Sequence, residues 1–180
     1  MTEDEDEALF EDDAWVEAPF HADYGFNVKL GKNVFINFNC TMVDTCLITI
    51  GARTLFGPGV SLYSGTHPLD PDVRNGTKGP EAGGEIHIEE DCWIGGNVTI
   101  LPGITIGKGS TVGAGSVVTK VRREPEPDEW SAADSIQNVP PYKCVAGNPA
   151  RILKDVPRNT DAARTSGATE ALERDQAAGK

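Results

Sequence analysis

The chain is poor in positive charge: 16 lysines and arginines stand against 28 aspartates and glutamates in 180 residues, a formal net charge of −12. A nucleic-acid partner would want a clustered basic face, so that class is excluded. Long apolar runs are missing too. Nothing approaches the roughly 20 residues that span a bilayer, and the N-terminus has neither the positive start nor the apolar stretch of a secretory leader. The expectation is a cytoplasmic protein with no membrane partner. Four cysteines occur without a CxxC pair, which gives no metal site or redox motif to build on. Cys40, Cys46 and Cys92 instead read as small, reduced, inward-facing residues. Also absent are the apolar periods of 3.6 and 2 that mark an amphipathic helix and a half-buried strand.

What is present is a period of six. Residues 88–117 divide into IEEDCW, IGGNVT, ILPGIT, IGKGST and VGAGSV, each opening on an aliphatic residue. Such a repeat specifies a parallel β-helix. Three hexads, about 18 residues, make one triangular turn, and turns stack at strand spacing, roughly 4.8 Å. The fourth positions are Asp91, Asn97, Gly103, Gly109 and Gly115. These residue types enter left-handed backbone most cheaply, as tight corners require. The fifth positions, Cys92, Val98, Ile104, Ser110 and Ser116, are short enough for a second inward site.

Earlier hexads start at Leu30, Ile36 and Met42, slip by two residues, and resume at Ile50, Phe56 and Leu62. The slip is expected to set Asp44 and Thr45 in a bulge on the outside of the coil. Residues 15–27 read as an extended lead-in whose aromatics cover the open bottom. The organisation expected is an acidic, disordered tail over 1–14, one domain over 15–154 and a disordered tail over 155–180. Two interruptions fall inside the domain: a structureless loop at 68–85, rich in Pro, Gly and charge, and an insertion at 122–137. A loop that long in a compact domain is often functional. It directly follows His67, whose side chain suits proton transfer near neutral pH; on position alone the favoured reading of His67 is an ordinary surface histidine.

The stretches INFNCTMVD, GPGVSLYSGTHPLD, CWIGGNVTILPGITIG, VGAGSVVTK and VAGNPARI together resemble the maltose and galactoside O-acetyltransferases, members of the left-handed hexapeptide-repeat acyltransferase family. The resemblance implies an all-β, left-handed parallel β-helix with an extended external loop, assembled as a homotrimer with active sites between subunits. It implies acetyl-CoA as co-substrate, a sugar as acceptor and no metal. It makes His67 the general base, Asn37 an acceptor-side residue, and Asp23 and Asp44 further acceptor contacts. Trp93 borders the coenzyme; the backbone of Gly96 faces the thioester oxygen; Ala114, Thr119 and Lys120 line the coenzyme path; Arg151 and Lys120 meet its phosphates. Three other readings stand beside it. A carbonic anhydrase of this fold needs histidines grouped on neighbouring rungs, and His21 lies before the repeats. A non-catalytic scaffold needs neither Asn37 nor His67. An acetyltransferase acting on a serine, an amine or an antibiotic is separated from the sugar reading only by acceptor screening.

Overall fold

The computed structural model describes residues 10–119 and 138–158. It is a left-handed parallel β-helix of triangular section. The first face carries β1 (Trp15–Val16), β4 (Phe35–Ile36), β7 (Leu55–Phe56), β12 (Trp93–Ile94), β15 (Thr111–Val112) and β17 (Lys143–Gly147) in parallel. The second carries β2 (Phe20–Ala22), β5 (Cys40–Val43), β8 (Ser61–Tyr63), β13 (Thr99–Ile100) and β16 (Val117–Val118). The third carries β3 (Val28–Leu30), β6 (Ile48–Ile50), β11 (Ile86–Ile88) and β14 (Thr105–Ile106), and Val139 extends it through a bridge to Ile106. An antiparallel strand, β18 (Ala150–Asp155), pairs with β17 on the first face.

The hexad places two inward residues per face. The openers Ile36, Met42, Ile50, Phe56, Leu62, Ile88, Ile94, Ile100, Ile106, Val112 and Val118 are buried, as are the fifth-position residues Val34, Cys40, Val60, Cys92, Val98 and Ile104. Burying an aliphatic side chain of this size contributes about 1.5–3 kcal/mol, so the axis holds the coil together. Corners behave as the fourth positions require: Asp91, Asn97, Gly103, Gly109 and Gly115 all have positive φ, from 56° to 79°. Arg53 occupies the same place at φ 59°. Its guanidinium donates to Asp91 Oδ1 (2.6 Å) and Glu90 Oε2 (2.9 Å), ion pairs that hold an otherwise unfavourable residue in that corner.

Several expectations need correction. Asp44 does not face outward: it is fully buried. The two extra residues of the slip let Ile48, rather than Cys46, take the inward place, and Cys46 is only half-buried. The lead-in segment forms the first rung itself, through β1 to β3, and leaves Trp15, Tyr24 and Phe26 more than half exposed instead of covering the bottom. The stretch 68–85 is folded. It holds a short helix, α1 (Pro71–Arg74), a 3-10 turn (Gly76–Lys78), and β10 (Ala82–Gly83) paired antiparallel to β9 (Gly65–Thr66). Asp70 caps α1 by accepting from Asp72 N (2.9 Å), and Pro71 opens it, where a missing N–H costs nothing. Asp13 N donates to Phe10 O in a turn, and Asp12 pairs with Lys32. At the other end Val156 N donates to Tyr142 O, and Arg158 lies over the Tyr142 ring at 4.3 Å. The insertion 122–137 lies outside the described residues.

Candidate active site

The edge between the first and second faces is built from stacked corners. Asn37 N donates to Phe56 O, Gly57 N to Ile94 O and Gly95 N to Val112 O, so Asn37, Gly57, Gly95 and Gly113 form one ladder. Glycine is required there by proximity. A Cβ on Gly57 would lie 2.5 Å from Gly96 N, and one on Gly95 2.6 Å from Ala114 N. Asn37 therefore brings a carboxamide to an edge whose next three rungs are bare backbone. Its Oδ1 accepts the Phe38 N–H at 2.9 Å, and the side-chain amide is left to donate elsewhere. One corner position further along, Gly96 sits above Pro58 and below Ala114, and no acceptor among the described residues takes its N–H. Trp93 stands on the adjoining first face, 58% exposed. Arg151, on β18, is exposed and donates to the carbonyls of Pro149 and Ala150 at 3.3 Å. These five sequence-predicted residues, Asn37, Trp93, Gly96, Ala114 and Arg151, share the first face and its edge.

His67, Asp23 and Thr119 lie at a different edge, between the second and third faces. Asp23 follows β2 and donates its N–H to Met42 O (3.1 Å); Thr119 follows β16. His67 follows β9 and is exposed. The stem beneath it is pinned by buried Ser64, whose hydroxyl accepts from Cys46 N (2.8 Å) and reaches the carbonyls of Val43 (2.9 Å) and Cys46 (3.1 Å). Beyond it, Arg74 Nη1 donates to Pro68 O and Leu69 O, fixing the backbone just after the histidine. Thr45 flanks the same stem: a Cβ on Gly65 would lie 2.6 Å from Thr45 Oγ1. Ser64 and Arg74 are the residues missed by sequence reasoning. The capped sequence DPDVR carried the signal for Arg74, since it reads as the start of a helix whose last residue turns back on its own lead-in.

Asp44 serves this edge from inside. Its carboxylate accepts from Tyr24 N (2.8 Å), Gly25 N (3.1 Å) and Asn27 N (3.1 Å). Burial disfavours its charge, but the three N–H groups outweigh burial and hold the carboxyl below its ordinary pKa. It anchors the turn that carries Asp23. His87 is likewise committed, with Nδ1 on Thr49 Oγ1 (2.8 Å) and Nε2 on Glu85 Oε2 (3.0 Å). Among the described residues no group of three or more His, Cys, Asp and Glu could hold a metal, and no helix is long and apolar enough to cross a membrane. Lys120 lies outside the described residues.

A groove of about 530 Å³ runs along the third face past Lys29, Thr49, His87 and Lys108. It touches neither edge group. Within one chain, then, the two edge groups stay apart, separated by the width of the second face.

Comparison with known proteins agrees with this architecture. The family described as bacterial transferase hexapeptide (six repeats) matches residues 85–120. A hexapeptide-repeat acetyltransferase from Vibrio cholerae, solved with acetyl coenzyme A, superposes with a TM-score of 0.69 at 36% identity, over 88% of this chain and 80% of that one. This chain belongs to the hexapeptide-repeat acetyltransferase family. A galactoside acetyltransferase solved with coenzyme A, also of this family, gives a TM-score of 0.69 at 34% identity, over 86% of this chain and 68% of that one. Nodulation protein L of Rhizobium meliloti is 44% identical over 139 residues, 77% of this chain and 66% of its own length. A relative from Schizosaccharomyces pombe is 43% identical over 141 residues, 78% of this chain and 59% of its own length. The chain thus spans about three fifths to two thirds of these two hexapeptide-family relatives.

Proposed function

We propose that the chain is an acetyltransferase that moves the acetyl group of acetyl-CoA onto a sugar hydroxyl, working as a homotrimer with sites between copies. One observation carries this reading: the two groups of candidate residues occupy the two edges that bound the second face. If three prisms turn that face toward a common three-fold axis, the first–second edge of each copy meets the second–third edge of its neighbour. Parallel coils keep equal heights. His67, which leaves the rung of β8, then meets the neighbour's Gly57 and Pro58, with Asn37 one rung below and Gly96 one rung above. Rungs are spaced at roughly 4.8 Å, so an acceptor hydroxyl and a thioester carbonyl fit between them.

The chemistry follows from those roles. Asn37 donates to the acceptor, and Asp23, on the turn held by Asp44, accepts from another of its hydroxyls. His67 removes the proton from the attacking oxygen. Charge gathers on the carbonyl oxygen, and the free Gly96 N–H is aimed where it develops; such a donor is worth about 3 kcal/mol. Trp93, Ala114 and Thr119 give the coenzyme a smooth path, and Arg151 and Lys120 supply cations for its phosphates. The names of the galactoside acetyltransferase and of a maltose O-acetyltransferase from Clostridium difficile, 37% identical with a TM-score of 0.68, support a sugar acceptor. The test is steady-state kinetics with acetyl-CoA against sugars, amino acids and amines, following free CoA. His67→Ala should lower turnover on the best acceptor by about 10²–10⁴ while acetyl-CoA still binds. Turnover close to wild type would remove the general-base role, and acetylation of amines alone would remove the sugar.

A further inference from the structure

The turn that joins the second face to the third on the lowest rung, residues 23–27, presents two aromatic rings to water. Tyr24 is 57% and Phe26 68% exposed, with ring centroids 5.6 Å apart and planes at 53°. Exposed rings occur elsewhere too, at Phe10, Trp15, Phe38, Tyr63 and Trp93. This pair differs in the stiffness of its support. Buried Asp44 takes the N–H groups of Tyr24, Gly25 and Asn27, while Asn27 Nδ2 donates to Asp44 O (2.8 Å), Val28 N to Gly25 O (3.3 Å) and Lys29 Nζ to Phe26 O (2.9 Å). Each residue from 24 to 27 is therefore tied down. Two rings fixed at an angle beside the exposed carboxylate of Asp23 give an apolar wall next to a hydroxyl acceptor. A pyranose has the same division, with hydroxyls round its rim and, on its faces, C–H groups that suit the negative face of an aromatic ring.

We propose that Tyr24 and Phe26 form a second sugar subsite, which binds the ring next to the one that is acetylated, so that the preferred acceptor is a di- or oligosaccharide. The proposal rests on the three-copy sugar acetyltransferase reading above and narrows its acceptor. The rungs set the direction. Upward from His67 the cleft holds Gly96 and the coenzyme path, so a saccharide grows downward. On the neighbour's side the ladder below Gly57 runs through Asn37 to Glu17, since Asn37 N donates to Phe56 O (3.3 Å) and Glu17 N to Ile36 O (2.9 Å). On the near side Asp23 follows β2, two rungs below β8, a drop of roughly 10 Å. One hexose with a hydrogen bond at each end fills that span. The next ring then leaves the cleft past the turn that bears Asp23, where Tyr24 and Phe26 are the side chains it meets. Glu17 stands at the same height on the neighbour; its Oε1 accepts the Trp15 indole N–H (3.0 Å), and the half-buried carboxylate can accept a sugar hydroxyl as well. Because the 23–27 turn is already fixed, binding there orders little besides the sugar.

The experiment measures acetyl transfer from acetyl-CoA by the full chain to single sugars and to disaccharides built from them: glucose and maltose, galactose and lactose, N-acetylglucosamine and chitobiose. Tyr24→Ala, Phe26→Ala and Phe26→Trp are compared with wild type, and melting curves and sedimentation velocity check that each variant folds and assembles. In the wild type at least one disaccharide should have a kcat/KM about ten-fold above that of its single sugar. Both alanine variants should lose most of that ratio with acetyl-CoA KM unchanged, and Phe26→Trp, which keeps a ring, should retain it. A wild type that uses every single sugar as well as its disaccharide, or alanine variants that lose the same factor on both, overturns the subsite and leaves the sugar reading standing. Alanine variants that dissociate the assembly overturn it too, by making the rings a contact between copies. Transfer to amines and to no sugar overturns the underlying reading itself.

Discussion

Replacing Asp44 by alanine separates two roles: the sugar contact that the sequence resemblance implies, and the internal anchor that the buried carboxylate forms. In the structure the carboxylate is fully buried and accepts three backbone N–H groups from the turn at 24–27. Hydrogen bonds to a charged group are worth about 1.5–3 kcal/mol each but do not add fully, and the alanine leaves the donors unpaired. A loss of about 3 kcal/mol is expected. For a chain of this size that lowers Tm by roughly 6–12 °C, read by calorimetry at fixed protein concentration because assembly also stabilises. The pH dependence has a defined sign. The folded pKa lies below the ordinary 3.8, so the contribution is complete above that value and is lost as pH falls through the folded pKa. Wild type and Asp44→Ala should differ most at neutral pH and draw together only as the pH falls below 3.8. If Asp44→Ala melts like wild type while its sugar KM rises, Asp44 is a ligand contact and the anchoring argument is wrong.

Three further outcomes follow from the same geometry. Gly57→Ala would set a Cβ 2.5 Å from Gly96 N, so it should both lower Tm and cut turnover, whereas Gly103→Ala, with nothing within 4 Å, should cost only backbone strain at φ 79°; thermal melts of the pair decide. Cys92, pushed up to about 11 by burial, and buried Cys40 should resist iodoacetamide at pH 8, while half-buried Cys46 and Cys144 react, as peptide mass mapping would show. Thr45→Asp should change acceptor KM more than acetyl-CoA KM, because Thr45 flanks the stem below His67; equal changes in both would place it outside the acceptor side.

The coil was legible because its constraint is local and repeated. One inward aliphatic, one φ-positive corner and one short inward residue recur every six positions, and each is buried or turned as that pattern demands. Asp44 was not legible, because an extra polar residue in a slipped hexad reads as an outward bulge. Only the fold of 23–27 beneath it reveals three donors converging on its carboxylate. The loop at 68–85 was misread for a related reason. Its order comes from an Asp70 cap, an Arg74 grip on two carbonyls and a two-residue ladder, none of which has a period. Of the candidate site, the residue types could be chosen from the motifs, but their division between two edges depends on counting corners in the folded chain.

Every departure from the six-residue step falls on one edge. Inward partners advance by six from Val16 to Ala22, Leu30 to Ile36 to Met42, Ile50 to Phe56 to Leu62, and Ile88 through Val118. Between the second and third faces the step lengthens at 22–30, 42–50, 62–88 and 118–139, and stays at six only from Ile100 to Ile106. A length change there pushes chain outward and returns it at the same height, while one at either other edge would have to interrupt a ladder of corners already in contact. The coil thus offers a single cloning address. A foreign epitope or affinity peptide spliced between Leu101 and Ile104, the one plain corner on that edge, should leave the axial stack intact, while the same peptide placed at Gly95 would not.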